Sequence, residues 1–78
     1  MESIINGKRY DTRTAERVID GPLNEGVYRT SKGAWFKANV PFRGLPPIVL
    51  LSEAEARDLV GKCAAHRYVE FFGEVEEA

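Results

Sequence analysis

Asn6-Gly7 stands between two β-prone runs, Ile4-Ile5 and Lys8-Arg9-Tyr10. Both residues tolerate the positive φ of a type I′ turn, and the pair is the strongest short-range signal for a two-residue hairpin. Ile5 then faces Lys8, and Ile4 faces Arg9. The polar run Asp11-Thr12-Arg13-Thr14 follows, with side chains that bond nearby backbone amides and hold a second reversal. That reversal would bring Ala15, Arg17 and Ile19 back along the first hairpin as a third strand. A competing reading makes Asp11 or Thr12 the N-cap of a short helix through AERVID, ended by Gly21-Pro22.

A second hairpin reads from GVYRTSKGAWFKANV, residues 26–40, with Gly33 closing a Ser31-Lys32-Gly33 loop in the left-handed conformation of a type I turn plus bulge. This register puts Tyr28, Thr30, Phe36, Ala38 and Val40 on one face. Val27, Arg29, Trp35, Lys37 and Asn39 take the other. The first face is the more apolar and is expected to be the core, which leaves Trp35 between Arg29 and Lys37 on the solvent side.

PFRGLPP, residues 41–47, holds three of the four prolines and reads as a linker or edge rather than a central strand. IVLL behind it is short, apolar and β-branched, fit to join the sheet. Ser52-Glu53-Ala54-Glu55 is a capping box, with Leu51 and Ala56 placed to form the hydrophobic staple. Ala56, Leu59, Val60 and Cys63 recur at helical spacing as a buried stripe, while Glu53 with Arg57 and Asp58 with Lys62 form outward i,i+4 pairs. In AAHRYVEFFGEVEEA the rings of Tyr68, Phe71 and Phe72 share a helical face, Gly73 stops the helix, and an acidic tail follows.

These elements predict one α+β domain over residues 1–78: an antiparallel meander of four to five strands with one or two C-terminal helices packed on one face. Residues 1–51 are mainly β hairpins and 52–78 the helical segment. With 78 residues there is room for one core and little for a deep cleft. No apolar run spans a bilayer, MESIING lacks the parts of a signal peptide, and the single cysteine, Cys63, has no partner for an internal disulfide. The expectation is a cytoplasmic chain without membrane contact.

The net charge is −1, but residues 1–51 carry eight Lys or Arg against five Asp or Glu, and residues 52–78 carry three against seven. The chain is therefore a dipole along its sequence.

Catalytic chemistry finds little footing. Cys63 and His66 lie three apart on one helical face, but a stable metal site needs three or four ligands, and the chain has no second Cys or His. A buried thiol beside a partly exposed imidazole is the simpler expectation. Ser52 serves as a cap, and no other hydroxyl is placed beside His66 and an orienting acid. No metal, no cofactor and no enzyme activity are expected. Glu70, Glu74, Glu76 and Glu77 gather toward one end of the sequence, where water keeps them ionised; they serve solubility or meet a basic partner. Arg29, Lys32, Lys37 and Arg43, interleaved with Tyr28, Trp35 and Phe42, resemble sheets that stack bases and clamp phosphates, and equally the Tyr, Trp and Arg set of protein–protein hot spots.

IINGKRYDTRTA, VYRTSKGAWF, LLSEAEARDL and YVEFFGEVEE, in that order, resemble the landmarks of a family of short proteins carried by phages and other mobile elements. That family shares an I-I-N-G-K-x-Y-D-T-x-T-A opening, a Y-R-T-x-x-G-x-x-F hairpin and an L-S-x-x-E-A helix start. This chain departs from it in the middle, where KANVPFRGLPP replaces a Gly-rich stretch. The resemblance implies the setting of anti-CRISPR inhibitors, which act without turnover by covering a surface of a Cas protein or complex. The expected partner is accordingly a Cas effector subunit. Arg29, Trp35, Lys37, Glu70, Glu74, Glu76 and Glu77 are the candidate partner-binding residues. The alternative is a small nucleic-acid-binding accessory protein using Tyr28, Arg29, Trp35 and Lys37.

Overall fold

Asn6 and Gly7 adopt φ of 53° and 75° and close strand β1 (Glu2–Ile5) onto β2 (Lys8–Asp11). Ile5 pairs with Lys8 and Ile4 with Arg9, the register expected of a two-residue turn. The computed structural model of the chain describes residues 1–21, 25–39 and 46–78. Val40, Phe42, Arg43 and most of PFRGLPP lie outside the described residues.

Asp11 holds the next reversal. Its carbonyl accepts from the amides of Thr14 and Ala15, and its carboxylate accepts from the Arg13 amide at 2.9 Å and from the Arg13 guanidinium at 3.2 and 3.1 Å. These bonds, first those from the Arg13 side chain and then that from its amide, hold the Asp11 carboxyl below its ordinary pKa. Residues 16–20 then form a strand, β3 (Glu16–Asp20), and no helix.

β3 does not continue the first hairpin, as the alternation of Ala15, Arg17 and Ile19 suggested. It pairs with β4 (Gly26–Arg29) and opens a separate antiparallel meander, β3-β4-β5-β6, with β5 at Trp35–Ala38 and β6 at Ile48–Leu51. The cause is local. The β3–β4 register shifts between Arg17 and Ile19, so Val18 is buried with Val27 in one cluster while Ile19 packs against the same cluster. Next to this shift, opposite Asp20, Gly26 has φ 152°, and a Cβ there would collide with the Ile19 carbonyl oxygen. Only glycine fits that approach.

The meander is covered on both faces. Alternate side chains of a strand point to opposite sides, and here Tyr28, Phe36, Ala38 and Ile48 meet Tyr10 of the β1–β2 hairpin, with Met1 and Ile5 at its margin. Tyr10 stands edge-on to Phe36 at 5.7 Å, and Tyr28 stacks on Phe36 at 5.2 Å. The other face carries Val18, Val27 and Trp35 against the helices. The first of these, α1 (Glu53–Cys63), begins at the expected box: Ser52 Oγ accepts from the Glu55 amide at 3.1 Å, and Glu55 returns a carboxylate to the Ser52 amide at 2.9 Å. A short 3-10 turn (Ala65–Arg67) leads into α2 (Tyr68–Phe72). The result is an α+β domain of three layers: hairpin, sheet, helices.

The buried stripe of α1 is Ala56 and Val60, continued by Ala64 just beyond its end, with Leu59 half-buried. Cys63, expected in that stripe, is exposed. The helix ends there, and Ala64 at φ −144°, ψ 49° turns out of helical geometry with its own methyl inward. Both outward pairs, Arg57 with Glu53 and Lys62 with Asp58, are formed. Among the described residues no helix is long and apolar enough to cross a membrane.

Candidate functional site

Trp35 is the residue on which this region is built. It is 5% exposed, not the solvent-facing anchor that its place between Arg29 and Lys37 suggested. The expectation gave the correct face and the wrong environment, because the helices cover that face as fully as the hairpin covers the other. Phe72 stacks on the indole at 5.4 Å with 21° between planes, and Phe71 meets it edge-on at 5.5 Å. Tyr68 leans on Phe72 from the preceding turn. α2 is only five residues long, too short to hold together by itself; its rings on Trp35 fix it.

Guanidinium groups roof this cluster. Arg29, opposite Trp35 on β4, lies 6.0 Å from the indole centroid and 5.7 Å from that of Phe71. Arg57 of α1 covers Phe72 at 5.4 Å, and Arg67 covers Phe71 at 5.0 Å. Each such contact is worth about 0.5–1 kcal/mol at an exposed site. Arg67 also ties the helical segment to the sheet, donating to the Arg17 carbonyl at 3.0 Å, to Glu16 at 2.6 Å and to Glu70 at 3.0 and 3.3 Å. Glu70, then Glu16, hold its pKa above the ordinary value.

The candidate partner-binding residues thus separate into two groups. Arg29, Trp35 and Glu70 meet in one place: Arg29 and Trp35 by direct contact, Glu70 through Arg67, which lies over the same Phe71. Glu70 is an ion-pair partner, not a free carboxylate. Lys37 shares the Trp35 face two residues along β5, but is exposed and makes no ion pair with any described residue. Glu74, Glu76 and Glu77 leave the fold after Gly73, which caps α2 with φ 90°. They are exposed, outside any helix or strand and without an ion-pair partner among the described residues; Val75 among them is 56% exposed.

Two other expectations change. Cys63 and His66 are both exposed, so no buried thiol sits beside the imidazole. Tyr28 is as buried as Trp35, so neither ring presents a face on which a base could stack. The pairing of Arg67 with Glu16 was not anticipated, since it joins residues 51 apart. Also unanticipated is an open groove of about 550 Å³ between the β1–β2 turn and the β4–β5 turn. Lys8, Arg9, Thr14, Thr30, Ser31 and Lys32 line it, and its two lysines form no ion pair with described residues.

Comparison with models of known protein families, with curated proteins and with solved structures finds no match to this chain.

Proposed function

We propose that this protein is a small non-catalytic inhibitor that works by binding a protein partner, and that the partner is a CRISPR–Cas effector. The observation that carries the reading is the way the acidic end is mounted. Phe71 and Phe72 are clamped on Trp35, and the chain leaves that clamp carrying Glu74, Glu76 and Glu77 as carboxylates without an ion-pair partner among the described residues, beside an exposed Val75. Cas effectors hold guide and target strands in positively charged channels. Carboxylates anchored beside such a channel compete for the positions that phosphates would take, and they raise the rate of encounter with a basic surface. The order of the four motifs supports the same setting through the mobile-element resemblance.

The test is to add the purified protein to a panel of reconstituted Cas effectors with guide and target DNA. Loss of cleavage at a stoichiometric ratio of inhibitor to effector, with no loss from catalytic amounts, supports the proposal. Unchanged cleavage across the panel, with no Cas subunit retained on the immobilised protein, contradicts it.

The basic groove favours a second reading, a nucleic-acid-binding accessory protein that would use Lys8 and Lys32 in place of the buried rings. Direct binding of an oligonucleotide, weakening steeply with salt as phosphate contacts are screened, distinguishes it from the first.

A further inference from the structure

The groove between the β1–β2 turn and the β4–β5 turn has fixed walls. On one side the Asn6-Gly7 turn ends at Lys8, the first residue of β2. On the other, the Thr30 amide donates to the Ala34 carbonyl at 2.8 Å, the Gly33 amide to the Thr30 carbonyl at 2.9 Å, and the Ala34 amide to Thr30 Oγ1 at 3.0 Å. These bonds pin the loop that carries Ser31 and Lys32. Tyr10 joins the two walls, lining the groove while its ring stands against Phe36 in the core. It is 7% exposed, and its hydroxyl makes no hydrogen bond with a described residue, yet that oxygen is not sealed from the surface. A buried phenol usually has a partner.

The groups that converge here are donors. Lys8 and Lys32 are exposed and form no ion pair with described residues, and the Ser31 hydroxyl lies beside Lys32. Arg9 is already held by Glu2 at 3.1 Å. Asp11, the carboxylate on the wall, is 6% exposed and bonded by the Arg13 amide and guanidinium, so it does not answer the two lysines. Two ammonium groups and a phenolic O–H match a phosphate monoester, which carries about 1.5–2 negative charges and three strong acceptor oxygens near neutral pH. We propose that the groove binds a small phosphate monoester, with its phosphate facing Lys8 and Lys32 and accepting a hydrogen bond from the Tyr10 hydroxyl.

A small ligand fits better than the strand of the second reading. The groove of about 550 Å³ falls within the roughly 300–1,000 Å³ of small-molecule sites. Sites for single strands combine a track of cations with exposed aromatic faces. Tyr10 and Tyr28 are both buried, and the next unpaired lysine along the sheet, Lys37, lies on the opposite face with Trp35. The cations therefore mark one spot, not a track. The site is also separate from the inhibitory reading, since Glu74, Glu76 and Glu77 do not line it.

Titration with adenosine 5′-monophosphate to about 10 mM, followed by NMR, tests the proposal, since an open site of this kind is expected to bind at about 0.1–1 mM. Adenosine, which lacks only the phosphate, and an oligothymidylate without a terminal phosphate are the controls. The expected result is saturable shifts at the amides of Lys8, Tyr10, Ser31 and Lys32 with the monophosphate and none with adenosine. Lys8→Gln, Lys32→Gln and Tyr10→Phe, each checked for folding by circular dichroism, should each weaken binding about tenfold, the usual loss for a hydrogen bond to a charged group. No saturable shift with the monophosphate overturns the proposal. So does equal binding of adenosine, equal binding by the folded variants, or tighter binding of the oligothymidylate at the same amides, which would return the groove to the strand reading. Should Tyr10→Phe fail to fold, the two lysine variants, whose side chains are exposed, decide the matter.

Discussion

The ring of Phe72 lies on the indole of Trp35 with centroids 5.4 Å apart, and this contact joins the last helix to the middle of the sheet. It makes Trp35 a member of the core and places the acidic tail at a fixed point of the surface. A side chain that looks in sequence like a binding anchor is therefore part of the fold.

Trp35→Ala is expected to destabilise the domain by about 3–5 kcal/mol, the usual cost of emptying a buried aromatic site. That is a large share of the roughly 5–15 kcal/mol that holds a domain together. Urea denaturation measures it. A variant as stable as the parent would mean that α2 does not depend on the indole.

Gly7→Val places a β-branched residue at φ 75° in the turn, where no neighbouring atom obstructs a Cβ within 4 Å. The cost is thus conformational alone, about 1–2 kcal/mol. Melting should shift downward while the meander keeps its circular dichroism. An unchanged melting temperature would contradict the type I′ assignment.

These two sites show what the sequence made legible. The Asn6-Gly7 turn, the Ser52-Glu55 cap and the Glu53–Arg57 pair are settled by residues at most four apart, and each forms as its residue types require. The burial of Trp35 is not legible because its environment comes from Phe71 and Phe72, far along the chain, and because alternation cannot tell a solvated sheet face from one with a second layer on it. The irregularity at Val18 carries no Gly or Pro to announce it, so β3 looked like a continuation of the first hairpin. Of the candidate site, sequence placed the carboxylates of the tail on the surface correctly. It gave no hint that Arg67 reaches Glu16, 51 residues away.

Acid should weaken the turn at Asp11. Hydrogen bonds from Arg13 lower the folded-state pKa below the ordinary 3.8, so the charge on Asp11 contributes stability that is fully present above pH 3.8 and is lost as pH falls through the lower folded value. Asp11→Asn is expected to melt below the parent at pH 7, with the difference closing under pH 3.8. A gap that stayed constant from pH 7 to acid would show that the carboxylate charge is not what holds the reversal.

Inhibition by the parent chain and by a variant carrying Glu74→Lys, Glu76→Lys and Glu77→Lys, measured side by side on whichever effector of the panel the parent inhibits, tests the central claim most directly. All three residues are exposed, outside any helix or strand and unpaired with described residues, so the variant should match the parent in circular dichroism and melting. The account predicts that the parent abolishes target cleavage at a stoichiometric ratio and that the folded variant does so only in large excess. Equal inhibition by parent and variant would contradict the role of the acidic end, and cleavage untouched by the parent on every effector would contradict the function itself.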